Sequence, residues 1–429
     1  MKLIIYQAIA RLWGKGRFSS WNNKTFSYLS SLGVDYLWLT GIPRHASGKP
    51  FVKGDPGCPY SVSDWKDVNP YMADDEELRM HEFELLVHRA HRSGLKVMID
   101  FIPNHVSRDY SGGMRQYDYC DGDWTDTLKN DWSAPETYSE ALDVLRFWAS
   151  KGVDGFRCDM VELVPQEPQK RLIAQIKQEY PGTVFVAEVY DMGNYRSFVE
   201  YVGFDLLYDK SGMYDRLLAV GRDGYTAESL TWNWQFLSDL QPRMLNFLEN
   251  HDEQRIASRF CMGSAENAYP LLAASLLFND ASFMVYFGQE VGTDAAESDN
   301  GRTSIFNWTR PEAIVELNSY VNGKHPLDKE RMGVLTRYKM WLELAKKPVF
   351  SKGRCWDLCY CNKSRPGFVA SRHFCFMRYD SRQAWLVFCN FSGMEVRTDV
   401  LIPEEAPVCG GKEVAVSVPA MDAAVIRIK

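Results

Sequence analysis

The chain has 429 residues, 24% of them charged and 45% hydrophobic, with 30 Gly and 19 Pro, which is the make-up of a folded protein able to bury a large core and excludes a disordered chain. Its 49 Lys and Arg stand against 56 Asp and Glu, for a net charge of −7. With no basic block there is nothing to grip a phosphate backbone, so nucleic acid is not an expected partner. No window approaches the roughly 18 consecutive apolar residues of a membrane helix, so no membrane partner is expected either.

The chain opens on MKLIIYQAIARLWG. Gln7 and Arg11 cut its apolar run and no small-residue cleavage site follows, so Leu3 to Tyr6 reads as a buried strand and not as a signal peptide, which favours the cytoplasm. Three stretches then repeat one grammar of amphipathic helix, glycine and short apolar strand: FSYLSSLG-VDYLWLT, LLVHRAHRSG-LKVMIDF and ALDVLRFWASKG-VDGFRCD. Gly33, Gly94 and Gly152 fall where a helix C-terminal cap needs a left-handed residue. The middle helix has acids at its start, Asp74 to Glu77, and His88, Arg89, His91 and Arg92 at its end, which suits the macrodipole at both termini. In the third, Leu142, Leu145 and Trp148 recur at helical spacing and form a core stripe.

Further apolar strands follow at Thr183 to Val189, Gly203 to Tyr208, Met244 to Leu248 and Phe283 to Phe287, each separated by enough chain for a helix. Strands alternating with helices predict a parallel sheet, and eight such units predict an α/β fold, a closed (β/α)8 TIM barrel over 1–349, with a doubly wound sheet as the alternative. The stretch 104–135 is polar, aromatic and rich in Asp and Gly without clear periodicity, so it reads as a short excursion after the third strand, over the mouth of the barrel. From 350 to 429 the runs HFCFMRY, AWLVFCNF and AAVIRI, spaced by turn residues, predict a C-terminal antiparallel β-sandwich. Ten cysteines without a CxxC pair read as reduced core residues. Cys355, Cys359 and Cys361 lack zinc spacing and histidine partners.

In such a barrel the active site forms at the C-terminal ends of the strands, so the polar residues just after each apolar run carry the information. After the third comes Asp100-Phe-Ile-Pro-Asn104-His105; after the fourth, Gly155-Phe-Arg157-Cys-Asp159; after the fifth, Glu188; after the seventh, Glu249-Asn250-His251-Asp252. Singly, each has a structural explanation as a cap, an ion-pair partner or a backbone hydrogen bond. Together on one rim, crowded carboxylates around an arginine repel and drive their pKa values apart, which costs stability unless function demands it. Paired carboxylates in a sugar-sized cleft suggest glycoside hydrolysis. The 13 Trp and 22 Tyr offer rings for stacking on sugars, although most aromatics in a barrel are core.

At these residues the sequence resembles the α-amylase family, glycoside hydrolase family 13, in four ordered motifs: Asp100 to His105, GFRCD at 155 to 159, the Glu188 strand, and ENHD at 249 to 252. The resemblance implies Asp159 as nucleophile, Glu188 as general acid and base, and Asp252 as the carboxylate that grips sugar hydroxyls and stabilises the transition state. His105, Arg157 and His251 would complete the sugar subsite. Tyr60, in the segment Pro59-Tyr60-Ser-Val-Ser-Asp64-Trp65, would stack under the scissile sugar, with Asp64 structural. A cation beside a nucleophilic carboxylate keeps it ionised, whereas Glu188 must start protonated and so needs a raised pKa from nearby negative charge and burial. The implied activity is retaining α-amylase-type hydrolysis of α-1,4 bonds in starch-derived maltooligosaccharides. An α-glucosidase of α-1,4 or α-1,6 preference, a 4-α-glucanotransferase, and a catalytically silent binding subunit stay open as alternatives. Where calcium-dependent members carry a Lys-His pair after the nucleophile, this chain has Glu162-Leu163. No cofactor is expected to be required, and Asn104 and Asp131, near the loosely matching WTDTLKNDW, are the positions at which to inspect for calcium. Met160 matches neither the small residue of many α-1,4-acting members nor the Val of many α-1,6-acting ones.

Overall fold

The computed structural model describes residues 2–429, and in it eight parallel strands close into a barrel. They are β1 (Ile4–Ile9), β2 (Tyr36–Thr40), β3 (Lys96–Phe101), β4 (Gly155–Cys158), β5 (Val184–Ala187), β6 (Leu206–Tyr208), β7 (Met244–Phe247) and β8 (Ser282–Tyr286), and each neighbours the next in chain order around the ring. All eight expected strands are present, within a few residues of their predicted bounds, and the closed barrel displaces the doubly wound alternative. The continuous apolar runs have a direct cause. A barrel strand is covered inside by its opposite neighbours and outside by helices, so β1, β2, β4, β7 and β8 are buried along their whole length.

The described residues divide into two units, one of residues 5–208 with 303–327, the other of residues 2–4, 209–302 and 328–429. In the first, the helices Asn23–Ser31, Arg79–Arg92 and Pro135–Ser150 stand where the sequence pattern puts them. Asn22 caps the first by accepting the N–H of Lys24 and Thr25, and Gly33, Gly94 and Gly152 follow with φ of 76°, 77° and 88°, open to glycine without strain. The core stripe of the third helix is buried; Trp148 packs edge-on against Phe83 at 5.5 Å and donates its indole N–H to the Trp65 carbonyl at 2.8 Å. Register sets the site: β3 and β4 pair so that Asp100 lies beside Arg157, and β4 pairs β5 so that Arg157 lies beside Val186.

The stretch 104–135 carries structure that its sequence does not announce. His105–Ser107, Thr127–Asn130 and Gln116–Tyr117 form a three-stranded antiparallel sheet, in that order. Strands of two to four residues are too short to show an alternation of apolar and polar positions.

In the second unit, Arg354–Asp357, His373–Tyr379, Ala384–Asn390 and Asp422–Arg427 make a four-stranded antiparallel sheet, and Val396–Leu401 pairs with Glu413–Val418 in a two-stranded one. The helix Tyr269–Leu277 is buried on every side, and Phe278 at its end meets Phe374 and Phe376 at 4.7 and 4.9 Å. Arg378, 1% exposed, donates to the carbonyls of Phe278, Phe350 and Gly353, each at 2.9 Å, and to Asp280 at 2.5 Å. One guanidinium thus satisfies three carbonyls from two segments that are far apart in sequence. All ten cysteines are unpaired. No helix among the described residues is long and apolar enough to cross a membrane.

Replacing Arg378 by Met, which keeps the stem and removes every donor, is expected to lower stability by about 3–5 kcal/mol, read as a lower urea midpoint in equilibrium unfolding.

Candidate active site

Arg157 is the centre of the candidate site. Its side chain is fully buried, yet it faces three carboxylates: it donates from Nη1 to Asp159 Oδ1, stands 2.9 Å from Glu188 Oε1 through Nη2, and lies 3.6 Å from Asp100 Oδ1. The rings of Trp38, Tyr60 and Tyr208 surround the guanidinium, each centroid 5.5 Å from Cζ. Aromatic faces and carboxylates both favour a cation, which is how a charge survives at a depth that would otherwise expel it. Burial works against the charge of Arg157, but Glu188, Tyr208 and Asp159 outweigh it and hold the group protonated.

One cation cannot neutralise three acids, and the excess is settled by proton binding. Burial pushes Asp100 up to about 7, with Asp159 adding to the rise and Arg157 and the Trp38 N–H opposing it. The Trp38 indole donates to Asp100 Oδ2 at 3.0 Å and the Tyr60 hydroxyl to Oδ1 at 3.2 Å. Burial also raises the pKa of Glu188, again reinforced by Asp159. Arg157, the Met160 N–H and the Tyr190 hydroxyl pull it back.

The turn after β4 sets the second half of the geometry. Met160 has φ 44°, a left-handed conformation in a residue with a side chain, at a cost of about 1–2 kcal/mol. That turn aims its N–H at Glu188 Oε2, 2.9 Å away. Glu162 reaches across to the loop after β5. It accepts the N–H of Tyr190 at 2.8 Å, the N–H of Asp191 at 3.3 Å and the Asn194 amide at 2.8 Å. Tyr190, held there, donates its hydroxyl to Glu188 Oε1 at 2.7 Å. The roles of Trp38, Tyr208, Glu162 and Tyr190 are missed by motif reading.

His105 is buried against Trp124, with ring centroids 5.2 Å apart, and burial lowers its pKa to about 4, so it is a neutral imidazole that hydrogen-bonds the Tyr60 backbone. Tyr60, 8% exposed, is tied to Asp100 and Arg157. Asp64 accepts the Lys66 N–H at 2.9 Å, a local turn contact.

In the other unit, residues 249–252 follow the C-terminal end of β7. Glu249 is fully buried, paired to Arg255 at 2.8 Å and bonded to the Ile256 N–H at 2.5 Å, a structural pair. Asn250 Oδ1 accepts the N–H of Asp252 at 2.8 Å and of Glu253 at 2.9 Å, which turns the chain. His251 Nε2 lies 3.2 Å from Asp252 Oδ2, with the histidine side chain 1% and the aspartate 43% exposed.

Both residues inspected for calcium have side-chain partners within 104–135. Asp131 Oδ1 is taken up by Tyr117 Oη at 2.6 Å and by the Ser133 N–H and hydroxyl at 3.0 and 2.6 Å. The Asn104 amide donates to Asp121 Oδ2 at 2.8 Å, and the Lys129 ammonium stands 3.1 Å from the same carboxylate. Buried oxygens without a hydrogen-bond partner in this stretch are Asn104 Oδ1, Asp126 Oδ2 and Asn130 Oδ1, three against the six to eight that calcium takes. Among the described residues no three His, Cys, Asp or Glu side chains gather as metal ligands.

Residues 23–128 match the model of the α-amylase catalytic domain. The chain is 23% identical over 324 residues to α-amylase 3 of Dictyoglomus thermophilum, covering 66% of this chain and 61% of that one. It is 24% identical over 348 residues to a cyclomaltodextrin glucanotransferase of Bacillus sp. (strain 1-1), covering 68% and 46%. The chain therefore spans less than two thirds of these relatives' length. An α-amylase structure from Lactobacillus plantarum superposes with TM-score 0.74 over 100% of this chain and 99% of that one at 21% identity, a likeness of fold.

Glu162→Ala removes the acceptor shared by three donors. Amide exchange at Tyr190 and Asp191, followed by hydrogen–deuterium exchange mass spectrometry, is expected to speed up by at least about tenfold, since hydrogen bonds to a charged group contribute about 1.5–3 kcal/mol.

Proposed function

We propose that this chain, which belongs to the α-amylase family and is an enzyme of the glycoside hydrolase type, hydrolyses α-1,4-glucosidic bonds of maltooligosaccharides with retention of configuration. The observation that supports it best is the double pairing of Arg157, which holds Asp159 and Glu188 on the two terminal nitrogens of one guanidinium. A nucleophile and an acid that act in turn on one sugar have to stand side by side, and the shared guanidinium keeps these two carboxyls together.

In this reading Asp159 attacks the anomeric carbon and the glycosidic carbon–oxygen bond breaks. Glu188 gives its proton to the departing oxygen, then takes one from the water that releases the sugar from Asp159. The raised pKa of Glu188 supports the first task and its contacts to Tyr190 and Met160 support the second, since they stabilise the carboxylate left behind. Asp252, exposed and oriented by Asn250, would grip sugar hydroxyls, with Tyr60, His105, Arg157 and His251 completing the subsite. The Lys129 ammonium on Asp121 supports a reading without calcium.

Proton NMR of maltoheptaose cleavage at early times should show α-anomeric products; β-anomeric products would sink Asp159 as nucleophile. Glucose alone would mark an exo-acting glucosidase, and products longer than the substrate a transferase. Chelator should leave the rate unchanged, and a rate that falls on chelation would overturn the calcium-free reading. Asp159→Asn should abolish turnover with the fold intact, and Glu188→Gln should lower kcat by about 10²- to 10⁴-fold.

Tyr190→Phe removes a hydrogen bond that favours the ionised form of Glu188, so the pKa of the acid rises. Activity lost as Glu188 ionises then persists further, and the alkaline limb of kcat/KM should move to higher pH by about half to one unit. An unmoved or lowered limb would show that Tyr190 does not tune this acid.

A further inference from the structure

A cavity of about 510 Å³ opens within the second unit, between the helix Glu228–Leu237 and the segment of strand Arg354–Asp357 with the turn of helix Cys359–Asn362. It shares no residue with the site built on Arg157. Its walls carry the rings of Trp232, Trp234, Trp356 and Tyr360, and Trp232 and Tyr360 are each 49% exposed. The rings are held in place. Trp232 is stacked on Phe236, with centroids 5.3 Å apart and an interplanar angle of 14°, and the Arg216 guanidinium lies 4.3 Å from its centroid. Trp234 packs on Phe278 at 5.7 Å.

The polar groups of the cavity are equally ordered. Asp357 Oδ2 accepts the Thr231 hydroxyl at 2.9 Å and Oδ1 the Cys359 N–H at 2.7 Å, while Lys363 pairs with Glu228. Each Asp357 oxygen keeps a second lone pair for another donor, and the Gln235 amide adds a donor and an acceptor. Glu228 and Lys363 cancel, so the lining has neither the cation cluster that an anion needs nor the concentrated negative charge that a cation needs. Pre-set aromatic faces beside fixed hydrogen-bond acceptors fit a neutral ligand with a flat C–H face and a rim of hydroxyls, which is a pyranose. The volume lies in the range of pockets that hold small ligands.

We propose that this cavity is a second carbohydrate-binding site, taking a short stretch of an α-glucan chain with Trp232 as its stacking platform. The proposal rests on the reading that the substrate is an α-glucan. A chain held there is kept near the enzyme, so the second site acts through effective concentration on long substrates and leaves short ones unaffected.

The test uses the full chain, with soluble starch as probe in affinity gel electrophoresis and maltoheptaose hydrolysis as control. Trp232→Ala should weaken starch retardation about fivefold to tenfold, as a lost ring stack would, and Trp232→Phe should restore part of it. The unfolding midpoint and the maltoheptaose rate should stay unchanged in both. Starch retardation that is absent, or unchanged in Trp232→Ala, overturns the site while an intact maltoheptaose rate leaves the catalytic reading standing. Retardation that depends on Trp232 in a chain that hydrolyses no α-glucan would do the reverse, supporting the site and removing the catalytic reading.

Discussion

A single buried guanidinium organises the centre of this molecule. Arg157 sits among three carboxylates and three aromatic rings with no exposure to water. A positive charge there requires negative partners, and more negative partners than one cation can satisfy require that protons stay bound. Asp100 and Glu188 both carry raised pKa values as a result, though burial is the larger cause in each. The environment therefore sorts chemically similar groups into different protonation behaviour, which is the condition that acid–base chemistry at neutral pH needs.

The two turns that flank this cluster depend on each other. The left-handed Met160 directs its N–H to one oxygen of Glu188, and Glu162, two residues on, holds the loop whose Tyr190 hydroxyl meets the other. Glu188 is thus fixed from three sides, by Arg157, Met160 and Tyr190, and has little freedom to leave the position that brings it next to Asp159's partner. Glu162 can do this because a carboxylate accepts backbone N–H groups, which a lysine at that position could not.

The barrel was legible because its physics is periodic. Helix, glycine cap and buried strand recur, and each carries a signal of its own: a 3.6-residue stripe, a residue free to adopt positive φ, an unbroken apolar run. The small sheet within 104–135 was not legible, because two- to four-residue strands hold no period and pair only once the flanking chain has been placed. The same holds for the cage around Arg157. Trp38 and Tyr208 are far apart in sequence and look like core aromatics until the strands bring them, with Tyr60, to one guanidinium.

The sequence by itself determined which element follows which, the closed parallel barrel with its C-terminal antiparallel sheets, and the presence of acids, an arginine and histidines directly after β3, β4, β5 and β7. These are local properties, written in residue type and spacing. Tertiary structure decided which of those groups share a charge: Glu249 is sealed against Arg255, while Asp100 joins Asp159 and Glu188 around Arg157. Electrostatic energy depends on distance through space and on access to water, and neither is set until the chain has closed on itself.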